Sequence, residues 1–146
     1  MAGGEGTRLR PLTANQPKPM LPVANRPIME HIVRHIRDHG FKDIVVTVQF
    51  LASQVRNYFG DGSDMEVDLA YATEPTPLGT AGSVRNAAEM LGETFVVVSG
   101  DALTDIDLGA MRDFHRSHDG IATLATKRVE DTTQFGVAIT GEDGRI

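Results

Sequence analysis

The opening stretch MAGGEGTRLRPLTANQPKPMLPVANR sets Gly3, Gly4 and Gly6 beside Arg8 and Arg10, and holds Lys18 between Pro17 and Pro19. Glycine lets a backbone turn tightly or come close to a ligand, while arginine and lysine bring positive charge. The combination points to a loop built around a phosphate. Charge distribution agrees with this. The chain carries a net charge of -6, yet residues 1–26 hold Arg8, Arg10, Lys18 and Arg26 against Glu5 alone. Two familiar phosphate loops are excluded by residue type. A P-loop ends in Gly-Lys-Ser/Thr, which GGEGTRLR lacks, and a dinucleotide fingerprint starting at Gly4 requires glycine where Leu9 stands.

Other side chains compete for a chemical role. Asp101 follows the run FVVVSG, which places it at the carboxyl end of a strand, where open α/β sheets bind their ligands. Asp105 and Asp107 form a D-x-D pair resembling the metal motif of many glycosyltransferases, although a cap for the helix starting near Leu108 is the simpler role. His31, His35 and His39 repeat every fourth residue, but they drift around the helix and lack the third ligand and nearby glutamate of a helical zinc site. His115 and His118 share a face with Leu108 and Met111, a pattern expected of packing.

The elements that must position these residues are legible as periodicities. PIMEHIVRHIRDHG puts Ile28, Met29, Ile32, Val33 and Ile36 on one helical face and stops at Gly40. KDIVVTV reads as a buried strand, LASQVRNYF as a short helix, MEVDLAYA as an alternating strand and GTAGSVRNAAEML as a helix. TFVVVS, IATLATKRV and FGVAIT are read as further strands, with the helix DIDLGAMRDFHRSH between the first two and the turn GEDG after the last. Strands alternating with helices predict an α/β domain with a largely parallel, helix-covered sheet. In such folds a glycine loop follows the first strand, yet only Met1 and Ala2 precede Gly3, and Gly144-Arg145-Ile146 stops where a new strand should begin. The chain is therefore expected to be a fragment, incomplete at both ends.

Composition bounds the remainder. A chain of 146 residues with 40% hydrophobic content encloses one ordinary core. The absence of cysteine excludes disulfides, thiolate metal sites and a cysteine nucleophile. The acidic balance argues against nucleic acid and anionic lipid as partners. No apolar run approaches the ~18 residues of a membrane span and no signal-peptide core is present, so a cytoplasmic protein is expected.

The ordered series GGEGTRL, PLT, PKPMLPV and NRP, with EPTPLGTAGSV and VVVSGDALTDIDL further on, resembles the signature of the sugar-1-phosphate nucleotidylyltransferases. The wording is most similar to mannose-1-phosphate guanylyltransferases. This resemblance implies a Rossmann-like domain, of which residues 1–146 would be the nucleotide-binding half of the catalytic part. It also implies a nucleoside triphosphate, a sugar 1-phosphate and Mg²⁺, with room for a homo-oligomer formed through other regions. The family's first strand, its Glu-Lys-Pro sugar-site segment and its second acidic metal ligand have no counterpart in the chain.

Both reactants of such an enzyme are anions, so the protein's task is placement and neutralisation of charge more than covalent chemistry. The resemblance assigns Ala2, Gly3, Gly4, Gly6 and Thr7 to the nucleotide, Arg8 to the pyrophosphate portion and Lys18 to the sugar phosphate or α-phosphate. Asp101 becomes a Mg²⁺ ligand, which suits a hard cation that takes carboxylate and phosphate oxygens. Glu74 with the Gly79-Thr80 turn would read the base, a carboxylate suiting the N1–H and 2-amino group of guanine, although thymine and uracil nucleotides stay open. Gly136 resembles the glycine beside the sugar ring. GTP and mannose 1-phosphate are the expected substrates. A non-catalytic nucleotide-sugar-binding paralogue would be marked by loss of Arg8, Lys18 or Asp101.

Overall fold

The computed structural model describes residue 2, residues 6–133 and residues 135–146. They fall into two compact units, Met1–Gly109 and Ala110–Ile146.

In the first unit the segments that carry chemistry are short and turn-rich. Thr7–Leu9 and Lys18–Met20 are 3₁₀ turns. Two-residue strands β1 (Pro22–Val23) and β2 (Arg26–Pro27) pair antiparallel. Ala24 and Asn25, both at positive φ, make the tight loop between them.

Helix α1 (Ile28–Asp38) buries Met29, Ile32 and Val33, the centre of the expected stripe. It ends as its sequence predicts. Gly40 sits at φ 85°, its N–H donates to the Arg37 carbonyl at 2.8 Å, and the Phe41 N–H donates to the Ile36 carbonyl at 3.2 Å. That pair of reversed bonds is a Schellman stop, which needs a left-handed residue after the helix. Glu30 is buried on the same helix because its charge is answered. Tyr58 Oη donates to Oε2 at 2.7 Å, Arg34 Nε to Oε1 at 2.9 Å, and Arg26 stands 3.5 Å away. Burial raises its carboxyl, but the bonds from Tyr58 and Arg34 and the two arginine charges outweigh burial and hold it below the usual range.

Strand β3 (Asp43–Val48), helix α2 (Ala52–Phe59) and strand β4 (Asp68–Thr73) form a βαβ unit with a parallel ladder running from Asp43 opposite Asp68 to Val48 opposite Thr73. Val46 and Val48 of β3, Val55 and Phe59 of α2, Leu69 of β4 and Met29 and Val33 of α1 close the core. The Ala2 N–H donates to the Thr47 carbonyl at 2.9 Å, which ties the start of the glycine-rich segment to β3. Helix α3 (Gly79–Asn86) follows β4 and runs into a 3₁₀ turn, and α4 (Leu108–Arg116) buries Leu108.

The ladders among the described residues are β1–β2 and β3–β4. The strands expected at 94–99, 121–129 and 135–140 therefore form no ladder among the described residues. For the first, the reason is geometric. A groove of about 700 Å³ is lined by Ile44 and Val46 of β3 and equally by Phe95 to Val98, so open space stands where a partner edge would be needed at the ~4.8 Å strand spacing. In the second unit Ile121, Leu124, Val137 and Ile139 are exposed, and a β-prone run without a buried face has little to hold it in a sheet. The turn expected at GEDG does form, with the Gly141 N–H donating to the Arg145 carbonyl at 2.8 Å.

Candidate nucleotide and phosphate site

A cleft of about 630 Å³ in the first unit gathers residues from four distant stretches of sequence. Its lining includes Ala2, Gly6, Arg8, Lys18, Glu74, Gly79, Thr80 and Asp101. Each was expected from sequence. Thr7 is exposed in the turn beside Arg8 and does not line it. Gly3 and Gly4 lie outside the described residues, and Gly136 belongs to the second unit.

Gly6 is at φ 61°, and its carbonyl accepts from Thr13 Oγ1 at 2.8 Å and from the Leu9 N–H at 2.9 Å. Thr13 is almost fully buried, so the loop is wrapped on a hydroxyl that its own backbone satisfies. A Cβ at Gly6 would stand 3.0 Å from Thr13 Cγ2 and 3.1 Å from Lys18 Cβ. The glycine is thus required by the approach of Lys18 as well as by backbone handedness.

Lys18 is fixed at its base. Pro17 and Pro19 are buried, and the Met20 and Leu21 N–H groups close back on the Pro17 and Lys18 carbonyls at 2.8 and 3.1 Å. From there Lys18 Nζ reaches Asp101 Oδ2 at 2.7 Å, across 83 residues of chain, with one third of each side chain exposed. Ser99 Oγ donates to the other oxygen, Asp101 Oδ1, at 2.5 Å. Partial burial raises the Asp101 carboxyl, but the hydrogen bonds from Lys18 and Ser99 and the lysine charge prevail, so it stays ionised below the ordinary carboxylate range.

The opposite part of the cleft is a turn at the end of β4. The Glu74 N–H extends the ladder by donating to the Val48 carbonyl at 2.8 Å. Its buried carboxylate is half used. Oε2 accepts from the Leu78 N–H at 3.4 Å, at the start of α3, and buried Oε1 has no partner among the described residues. Gly79 at φ 70° has open space around its Cβ position, and Ser83, which also lines the cleft, donates back to the Gly79 carbonyl at 2.8 Å.

Ser99 and Ser83 were missed by sequence reasoning. Ser99 was signalled by its place two residues before Asp101 in SGD, a spacing at which a hydroxyl reaches the carboxylate. Ser83 carried no signal beyond its position one turn after Gly79. The histidines go to structure. His35 Nε2 bonds the Ile106 carbonyl at 2.8 Å, His39 lies 3.6 Å from Asp107, and His118 stacks on Phe114 at 4.0 Å. Among the described residues no group of three His, Cys, Asp or Glu could hold a metal ion. Asp107 directly precedes α4.

A glycine turn, two cations, a cation-paired aspartate in the turn after Ser99 and a carboxylate at a helix start are brought into one cleft, a set of groups with the chemistry to receive a phosphorylated ligand. The comparisons with known proteins give the family. The model of the nucleotidyl transferase family matches residues 1–146, and the chain belongs to that family. It is 39% identical over 160 residues to the UTP–glucose-1-phosphate uridylyltransferase of Synechocystis sp.. It is 40% identical over 147 residues to the mannose-1-phosphate guanylyltransferase of Mycobacterium tuberculosis. Each match takes in all of this chain and 41% of the relative, so the chain spans about two fifths of their length. A Bacillus anthracis structure provisionally described as a glucose-1-phosphate thymidylyltransferase superposes with a TM-score of 0.75 at 25% identity, over 81% of this chain and 49% of that one. The fold is α/β and Rossmann-like, and the family is one of sugar-1-phosphate nucleotidyltransferases.

Proposed function

We propose that this chain is the nucleotide-binding half of a catalytic domain that transfers a nucleoside monophosphate from GTP to mannose 1-phosphate, releasing pyrophosphate. The observation that carries the reading is the single cleft holding Arg8, Lys18 and Asp101 together with Glu74, Gly79 and Thr80.

A phosphate oxygen of the sugar phosphate attacks the α-phosphorus in line as the bond to pyrophosphate breaks. Arg8 meets the pyrophosphate with a planar fork whose charge never titrates away, and it holds that group as charge grows on it. Lys18 brings a point charge to the sugar phosphate or α-phosphate from a backbone fixed by buried prolines. Ala2 and Gly6 line the phosphates, and Gly3, Gly4 and Thr7, beside them in sequence, are assigned to the nucleotide with them. Gly136 keeps its role toward the sugar on the resemblance of QFGVA alone.

Asp101 suits a Mg²⁺ ion. It offers one ionised carboxylate at the cleft with a hydroxyl beside it, and Mg²⁺ is held by one or two carboxylates with phosphate oxygens and waters for the rest. When bound, the ion neutralises phosphate charge. Glu74 Oε1, buried and without a partner among the described residues, can accept from an N–H donor, and a nucleobase edge supplies one.

UTP or dTTP in place of GTP is the second reading, supported by the uridylyltransferase relative at nearly the same identity as the guanylyltransferase. A binding-only paralogue is disfavoured by the presence of Arg8, Lys18 and Asp101 in the cleft. No helix among the described residues is long and apolar enough to cross a membrane. A cytoplasmic site of action is part of the proposal. The test is pyrophosphate release by the full-length gene product across a panel of four nucleoside triphosphates and several sugar 1-phosphates. Release with GTP and mannose 1-phosphate far above other pairs supports the reading. Preference for UTP or dTTP transfers it to the second reading, and no release with any pair overturns both.

A further inference from the structure

Lys18 and Asp101, the two groups needed for opposite ligands, are bound to each other. We propose that this ion pair is a latch. In the ligand-free protein each side chain masks its partner, and a divalent cation on Asp101 releases Lys18 for a phosphate. The inference rests on the proposed function for the identity of the ligands only.

The geometry leaves little room for another arrangement. Asp101 Oδ2 receives Lys18 Nζ at 2.7 Å, while Oδ1 receives Ser99 Oγ. A Mg²⁺-sized ion binds a carboxylate oxygen at about 2.0–2.1 Å, which would set it roughly 4 Å from an ammonium held on the same oxygen, and the repulsion between a double and a single positive charge at that distance favours departure of the ammonium. In the latch, the ammonium leaves as the metal arrives. With one third of each side chain exposed, the pair is solvated enough to open without unfolding its surroundings. The buried prolines flanking Lys18 keep its backbone in place, so the freed ammonium swings within the cleft. Ser99 is the positioning residue of the exchange, since its hydroxyl holds Oδ1 while Oδ2 changes partner.

A consequence is reciprocity. Cation and phosphate each open the latch for the other, so each tightens the other's binding by the same factor, beyond direct contact between them. The cleft also supplies controls of matched charge. Arg8 is a cation lining the cleft with no role in the pair, and Glu74 is a second carboxylate lining it.

The experiment measures ion binding by the full-length protein. Mn²⁺ affinity without nucleotide is read by electron paramagnetic resonance, and inorganic pyrophosphate affinity in chelator is read by calorimetry. Lys18→Gln should tighten Mn²⁺ about tenfold, on the usual scale of coupling, whereas Arg8→Gln should change it less than about threefold. Asp101→Asn should tighten metal-free pyrophosphate by a similar factor and Glu74→Gln should not. Ser99→Ala should weaken Mn²⁺ binding several-fold, with Ser99→Thr restoring it. Equal effects of Lys18→Gln and Arg8→Gln, or no gain in Lys18→Gln, overturn the latch. The unmodified protein gives an independent readout. Acylation of Lys18, followed by mass spectrometry, should accelerate when Mn²⁺ is added, and an unchanged rate overturns the proposal. Because these measurements read ions and not turnover, they fail separately from the assignment of base, sugar or reaction.

Discussion

Replacing Gly6 by alanine tests whether the phosphate loop is built from the inside. The residue sits at φ 61°, and a left-handed conformation costs an L-residue about 1–2 kcal/mol. The added methyl would stand 3.0 Å from Thr13 Cγ2 and 3.1 Å from Lys18 Cβ, well inside the ~3.5–4.0 Å optimum for carbon pairs. Thr13 is almost fully buried and Lys18 is flanked by buried prolines, so neither retreats freely. Overpacking of this kind typically costs about 1–3 kcal/mol. Together the two effects predict a loss of about 3 kcal/mol, a large part of the ~5–15 kcal/mol available to a domain. In urea, with a slope near ~2 kcal/mol/M, the midpoint followed by far-ultraviolet circular dichroism should fall by about 1.5 M. Gly92→Ala is the control, because nothing lies within 4 Å of its Cβ position and its φ is not in the left-handed range. A Gly6→Ala midpoint indistinguishable from that of Gly92→Ala would refute the packing argument.

Three further outcomes are expected. Arg8→Ala in the full-length protein should lower kcat by about 10² or more, with Arg8→Lys recovering part, and near-native turnover of the alanine variant removes Arg8 from the chemistry. Glu74→Gln replaces the buried acceptor with an uncharged amide, so kcat/KM for GTP, UTP and dTTP should fall together by about tenfold, and a loss confined to GTP would refute the single-acceptor reading and make the carboxylate itself the base selector. The Asp101 carboxyl is held below its ordinary value in the folded protein, so its contribution to stability is present above the unfolded value of about 3.9 and fades as pH falls through the folded one. The melting-temperature gap between the native chain and Asp101→Asn should accordingly close in acid, and a gap that widens below about pH 4 contradicts the pairing.

The legible parts of the fold are those fixed by local chemistry. α1 was readable to its last turn because apolar spacing and the left-handed requirement at Gly40 are both properties of neighbouring residues. The βαβ unit was readable for the same reason, since β3 and β4 each show a buried or alternating run and α2 fills the connection. The run at 94–99 holds three valines, as β3 does, and yet forms no ladder among the described residues. Its state depends on what stands beside it, and beside it lies the groove shared with Ile44 and Val46. Strand propensity describes suitability for a pleated surface, and only a neighbour supplies the surface.

The site divides along the same line. Which residue types gather was visible in the sequence, because glycine, arginine, lysine and aspartate have restricted uses when set among prolines and turns. What each does before a ligand arrives was not. Gly6 was read as clearance for phosphates, and its methyl-sized space is in fact taken by Lys18 and Thr13. Lys18 and Asp101 were read as two independent contacts, and they are one ion pair closed across 83 residues of chain. Glu74 was read as offering guanine two acceptors, yet one of its oxygens already accepts from Leu78, which leaves Oε1 for the ligand. A single acceptor is satisfied by the N1–H of guanine or by the N3–H of uracil alike. Under the proposed function, discrimination between those bases would then fall on the donors and acceptors of the Gly79-Thr80 turn and on Ser83, which line the same cleft. Family relatives named for different bases can therefore share the acidic residue and differ in the turn around it.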